Sequence, residues 1–192
     1  MHKILHTALV VLTVLSAACQ AGPDTPEVPV TGTATGGAGS VMEFDLASLD
    51  GGTLSPSDAC EDLILVEFWA TWCGPCRLQA DILAKLYPEL KSRGVEFFAV
   101  SLGEPETVVR EFVAKRPFPY PVLVDPTDTI ASRYNLFILP TVVLLDRDGT
   151  VMYLHEGIST AAKLRSAVDE IIEGRKARLA GDDFSDELRS AS

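Results

Sequence analysis

Leu63-Ile64-Leu65-Val66-Glu67-Phe68-Trp69-Ala70 runs directly into Thr71-Trp72-Cys73-Gly74-Pro75-Cys76. The first eight residues are an almost unbroken apolar run rich in strand formers, as expected for a parallel strand covered on both faces. Beyond it, Leu78, Ile82, Leu83, Leu86 and Leu90 recur at helical spacing, which predicts one apolar helix face ending near Gly94. Val95 to Leu102 returns to strand. The two cysteines therefore fall where a strand becomes a helix, inside a strand-helix-strand unit.

A Cys-x-x-Cys pair takes its meaning from such a setting. Zinc needs two further ligands, yet there is no second close Cys pair, and the only histidine beyond the N-terminal leader is His155, so no metal is expected. A static disulfide fits poorly too, because the Cys73 sulfur would face the unpaired N–H groups and positive end of a helix, which favour thiolate. Cys76, one turn later, is placed to resolve a mixed disulfide. Pro75 in the first turn costs no hydrogen bond, and Gly74 lets a partner backbone approach closely. This predicts Cys73 as the exposed, attacking sulfur and Cys76 as the shielded one.

Glu67-Phe68-Trp69-Ala70-Thr71-Trp72-Cys73-Gly74-Pro75-Cys76-Arg77 resembles the active-site stretch of thioredoxins, and Leu139-Pro140-Thr141 resembles their cis-proline loop. The segment from Gly94 to Tyr134 resembles the insertion of the TlpA/ResA-like branch, membrane-anchored reductases linked to cytochrome c maturation and periplasmic thiol reduction. The resemblance spans about Val41 to Ile172. It implies an α/β thioredoxin fold: a central mixed sheet flanked by helices, with an N-terminal β-hairpin and a central strand-helix insertion. It further implies Cys73 as nucleophile, Cys76 as resolving thiol and Pro140 as a cis residue packed against them. Leu139 would offer backbone hydrogen bonds to an extended substrate, with Trp72, Gly74 and Pro75 on the substrate-binding rim. The expected partners are protein thiols or disulfides and a membrane thiol reductase as electron donor, without a cofactor. Two other functions remain open: a peroxidase of the same superfamily, and a redox-inert binding or chaperone module.

Glu67 is a lone carboxyl inside an apolar strand, where burying its charge is expensive, so its pKa is expected to be raised. The resemblance puts it where thioredoxins carry a buried Asp that relays a proton to the resolving thiol; the other reading is a strand-end Glu facing solvent. Some ResA-like reductases have a Glu three residues after the second Cys, whereas Gln79 stands there in this chain. Cys60 has no evident partner in the sequence and reads as a packed, inert thiol, with intermolecular pairing or regulation as the alternatives. Phe68, Trp69 and Trp72 read as core and rim aromatics.

Outward from this unit, Val41 to Leu46 alternates and Asp50-Gly51-Gly52 makes a turn, which gives the hairpin. Glu104 to Lys115 reads as a helix, Tyr120 to Val124 as a strand, and Thr127 to Tyr134 as one or two helical turns. Leu139 to Leu145 and Val151 to His155 read as strands joined through Asp146-Arg147-Asp148-Gly149. Ala161 to Ile172 is a closing amphipathic helix. The domain is expected to span residues 41–173, followed by a polar tail over 174–192.

Residues 1–18 read as a signal peptide: Lys3 is the positive n-region, Ala8 to Leu15 the apolar h-region, and Ser16, Ala17 and Ala18 the small residues before cleavage. The apolar run is shorter than the roughly 20 residues of a spanning helix. Cys19 follows directly and resembles a lipobox cysteine, although Leu15 lies one position further back than usual; lipidation there and a soluble periplasmic form are the two outcomes. Residues 19–40 have almost no large apolar side chains and read as a flexible tether reaching on the order of 25 Å from an anchor. The net charge of −11 argues against nucleic acid as a partner, since phosphate binding needs clustered Lys and Arg.

Overall fold

A computed structural model describes residues 39–190, with the backbone alone over 178–190. The expected signal peptide, Cys19 and most of the expected tether lie outside the described residues. Seven strands form one mixed sheet. In chain order they are β1 (Leu46–Ser48), β2 (Thr53–Leu54), β3 (Leu63–Trp69), β4 (Val95–Leu102), β5 (Val122–Asp125), β6 (Thr141–Asp146) and β7 (Val151–Glu156). The helices are α1 (Gly74–Lys91), α2 (Glu106–Lys115), α3 (Thr129–Tyr134) and α4 (Ala161–Ser190). The spatial order is β2-β1-β5-β4-β3-β6-β7, with β3, β4 and β5 mutually parallel and the other pairings antiparallel. This is the expected α/β thioredoxin architecture.

β3 lies inside the sheet between β4 and β6, and every residue of it is buried. Strand alternation divides its side chains between two cores. Leu63, Leu65 and Trp69 face a layer built from α1, α2 and α4 with Leu83, Leu86, Leu90, Val109, Leu164 and Val168. Ile64, Val66 and Phe68 face the opposite layer, where Met42, Phe44 and Leu46 meet Ile130 and Tyr134 of α3. Covering both faces explains why the strand is a continuous apolar run rather than an alternating one.

The hairpin is present but starts later than expected: β1 pairs with β2 around Asp50-Gly51-Gly52, while residues 41–45 are mostly non-strand chain joined to Thr150 through Val41. The alternation in that stretch records burial, since Met42 and Phe44 point inward while Val41, Glu43 and Asp45 are exposed. Gly149 is required in the β6–β7 turn: its φ is +81°, and a Cβ there would lie 2.6 Å from the Met42 carbonyl oxygen.

Two helix readings are corrected. Leu78 is exposed, and the inward face of α1 is Cys76, Gln79, Leu83, Leu86 and Leu90, a steady three-four spacing that puts Gln79 in the core. α4 does not end at Ile172 but continues through Gly174 to Ser190. An interior glycine costs a helix only about 1 kcal/mol, and the Ala, Arg, Lys, Leu and Glu around it propagate helix well. Ion pairs Arg93–Asp169 and Arg165–Glu89 tie α4 to α1 and its C-terminal end, and Arg175–Asp146 ties it to the end of β6.

Candidate active site

β3 delivers the chain to the mouth of the sheet, and four residues, Ala70 to Cys73, separate its end from the start of α1. Cys73 is the N-cap of α1: its backbone is extended (φ −78°, ψ 105°) and its Sγ accepts a hydrogen bond from the Cys76 N–H at 3.2 Å. The sulfur thus occupies the place a Ser or Asp oxygen usually takes at a helix start. Gly74 and Pro75 fill the first two helical positions, where the missing proline N–H leaves no bond unmade. Cys73 and Cys76 are joined in a disulfide.

The expectation of an exposed Cys73 is corrected for this oxidised state. Cys73 is 4% exposed and Cys76 1%, so both sulfurs are covered and the attacking position differs from the resolving one only slightly. Trp72, at 71% exposure, stands out beside them. Gly74 and Pro75 are exposed on the same rim.

Thr71 fixes this loop. Its N–H donates to Glu104 Oε2 at 2.6 Å, its hydroxyl donates to Glu104 Oε1, and its carbonyl accepts from Arg77 Nη2 at 3.1 Å. Arg77 in turn lies over the Phe112 ring, and Arg116 donates to the Arg77 carbonyl. Glu104 is buried and also accepts from Ser101. Nothing in the sequence marks Glu104 or Thr71 for this task; Glu104 reads simply as the start of a helix, which in the structure begins at Glu106.

β6 starts beside the end of β3, with Thr141 opposite Phe68, so Pro140 lies level with the start of the cysteine loop. The Leu139–Pro140 bond is cis. Pro140 is buried, its carbonyl accepts from Gly157 N–H at 2.7 Å, and Leu139 packs against the core cluster that holds both cysteines. Phe137 (79% exposed), Ile138 and Ile158 stand out from the loops on either side. With Trp72 they give the mouth an apolar rim that the sequence reading caught only at Trp72.

Glu67 is fully buried between Ala99 of β4 and Val142 of β6, which removes the solvent-facing alternative. By strand alternation it points into the layer that contains Cys73 and Cys76. Burial pushes its pKa from 4.5 up to about 8, opposed by one hydrogen bond from the Tyr120 hydroxyl to Oε2 at 3.4 Å. Oε1 has no protein partner. The Tyr120 hydroxyl, buried beside this carboxyl, is itself pushed well above its usual pKa.

Gln79, in the position where some relatives carry Glu, is buried, and its Oε1 accepts from Ser159 N–H at 2.7 Å. It links α1, one turn beyond Cys76, to the loop that leads into α4. It carries no charge and does no acid-base work.

Cys60 is exposed rather than packed, and it does not pair with Cys73 or Cys76, which are bonded to each other. It stands on the turn before β3, where Arg147 Nη2 donates to its carbonyl at 2.8 Å.

Residues 39–154 match the model of the AhpC/TSA family. The thiol-disulfide oxidoreductase ResA of Geobacillus kaustophilus is 32% identical over 139 residues, covering 72% of this chain and 80% of that protein. ResA of Bacillus anthracis is 31% identical over 128 residues, covering 67% and 74%. Among solved structures, a putative thiol:disulfide interchange protein DsbE from Chlorobium tepidum superposes with a TM-score of 0.63 at 29% identity, covering 69% of this chain and 95% of that one.

Proposed function

This chain belongs to the AhpC/TSA family and is a thiol-disulfide oxidoreductase of the ResA type, and on that footing we propose that it reduces protein disulfides at the cell envelope. The observation that carries the proposal is the Cys73–Cys76 disulfide at the N-terminus of α1, framed by the exposed apolar side chains of Trp72, Phe137, Ile138 and Ile158. A redox pair under an apolar rim suits a partly unfolded polypeptide bearing a disulfide.

In the reduced enzyme, the helix N-terminus stabilises the Cys73 thiolate. That thiolate attacks one sulfur of the substrate disulfide, forming a mixed disulfide and releasing the other substrate sulfur as thiolate. Glu67, in its carboxylate form, takes the proton of Cys76. The Cys76 thiolate then attacks Cys73 Sγ, re-forming the Cys73–Cys76 bond and expelling the second substrate thiolate. The substrate leaves as a dithiol, two electrons richer, and a membrane thiol reductase restores the enzyme pair. Trp72, Gly74 and Pro75 border the bound segment, and the Leu139 backbone before Pro140 pairs with it.

Maturation of c-type cytochromes, which requires reduced haem-attachment cysteines, is the process we assign to this activity. The signal peptide would direct export and, once it is removed, a lipid on Cys19 would hold the domain beside the membrane on its tether. Residues 1–38 lie outside the described structure, so this part rests on the sequence pattern; unchanged membrane fractionation and mass in Cys19→Ser would remove the lipid anchor. The activity itself is tested by mixing reduced protein with an exported c-type apocytochrome carrying an intramolecular disulfide. One disulfide should be reduced per enzyme pair oxidised, with none in Cys73→Ser. Consumption of peroxide at a comparable rate without any protein disulfide would favour a peroxidase instead.

A further inference from the structure

The phenol of Tyr120 is the only side chain that hydrogen-bonds the buried Glu67 carboxyl among the described residues, and it reaches one oxygen, Oε2, leaving Oε1 without a partner. The placement follows from the sheet. Ala99 lies beside Glu67 in the parallel β3–β4 register, and the Ala99 N–H donates to the Pro121 carbonyl at 3.0 Å, which holds the residue before Pro121 next to Glu67. The Tyr120 ring is wedged among Tyr87, Phe97 and Phe118, with centroids 5.2–5.7 Å away. Its hydroxyl therefore has little freedom to turn elsewhere.

We propose that Tyr120 is a positioning residue for proton transfer: its hydroxyl holds Oε2 and supports the carboxylate form, so that Oε1 exchanges the proton with Cys76. This deepens the assignment of Glu67 as proton acceptor and rests on it. Without a donor, a carboxyl in this layer would stay neutral to still higher pH, because burial already raises its pKa to about 8. The titratable groups around Glu67 are few. Cys73, Cys76 and Tyr87 come from α1 and Tyr120 from the chain before β5; His155, half-buried on β7 with Lys163 of α4 at its ring, lies one strand beyond Val142. Tyr120 is thus the group on which the acceptor's ionisation depends most directly.

The test is Tyr120→Phe, which keeps the aromatic cluster and removes one oxygen. Titration of Glu67, followed in the oxidised protein by the carboxyl band in isotope-edited infrared spectra, should move up by about one pH unit, a tenfold rise in proton affinity. In stopped-flow, the second thiolate released from a chromogenic aromatic disulfide reports attack by Cys76, and the rising limb of its pH profile should move up with the titration. A folded Tyr120→Phe protein whose Glu67 titration is unmoved overturns the proposal. So does a moved titration with an unmoved rate profile, when Glu67→Gln does abolish that limb. If Glu67→Gln leaves the limb intact, the acceptor role of Glu67 fails, and the positioning role of Tyr120 fails with it.

Discussion

The Glu104 carboxylate holds Thr71 at two points, its backbone N–H and its hydroxyl, across a sequence separation of 33 residues. The loop that carries Trp72 and Cys73 is thereby fastened to the segment between β4 and α2. Removing the carboxylate leaves a partly buried N–H and hydroxyl unpaired, and such losses typically cost about 1–3 kcal/mol. Glu104→Ala should lower unfolding free energy in urea by that amount. It should also speed amide exchange at Thr71 relative to the β3 amides. Unchanged protection at Thr71 would show that the loop is held by other contacts.

The order of attack has a covalent signature. A Cys76→Ser protein can form the mixed disulfide through Cys73 but cannot resolve it, so complexes with substrate should accumulate. Cys73→Ser should accumulate none, because the N-cap position that favours thiolate belongs to Cys73, whereas Cys76 lies inside the first turn of α1. Non-reducing gels with mass identification provide the check. Complexes trapped through Cys76 would reverse the assignment.

Glu67 makes stability depend on pH in a definite direction. Its pKa is raised from 4.5 to about 8 on folding, so between these values the unfolded chain releases a proton that the folded protein keeps. Stability is therefore full below about pH 4.5 and falls as pH rises towards 8, through a span on the order of several kcal/mol. Glu67→Gln should remove that slope. In the variant, urea midpoints should match the wild type near pH 4 and exceed it at pH 8; parallel curves for the two proteins would show that Glu67 does not titrate in this window.

The apolar rim should matter for polypeptides and little for small disulfides. Phe137 is 79% exposed, so Phe137→Ser should leave the melting temperature nearly unchanged, as surface substitutions usually do. We expect KM for a protein disulfide to rise several-fold while the rate with a small aliphatic disulfide stays put, since one buried aromatic contact is worth about 1 kcal/mol or more. Equal effects on both substrates would place the role of Phe137 in the fold.

The sequence by itself determined the local matters. The unbroken run Leu63 to Ala70 dictates a doubly covered strand, and a Cys-Gly-Pro-Cys stretch at its end dictates a helix start capped by sulfur. These follow from side-chain periodicity and backbone sterics within about ten residues, so strand, helix and turn positions were legible with small shifts, apart from α4, which continues past Ile172 to Ser190. What depended on distant partners was not. Glu67 could be read as costly to bury, but only the β3–β4–β6 register decided that it is buried and that a tyrosine 53 residues away meets it. Glu104, Gln79 and Ser159 carried no local signal, because a carboxylate or amide declares its partner only when the chain brings a backbone N–H to it. Cys60, read as a packed thiol, is exposed, since its burial is set by how the turn before β3 sits on the fold and not by its place in the sequence. The near-equal cover of Cys73 and Cys76 is likewise a matter of how the surrounding chain packs over the first turn of α1, a three-dimensional fact that the order of residues does not contain.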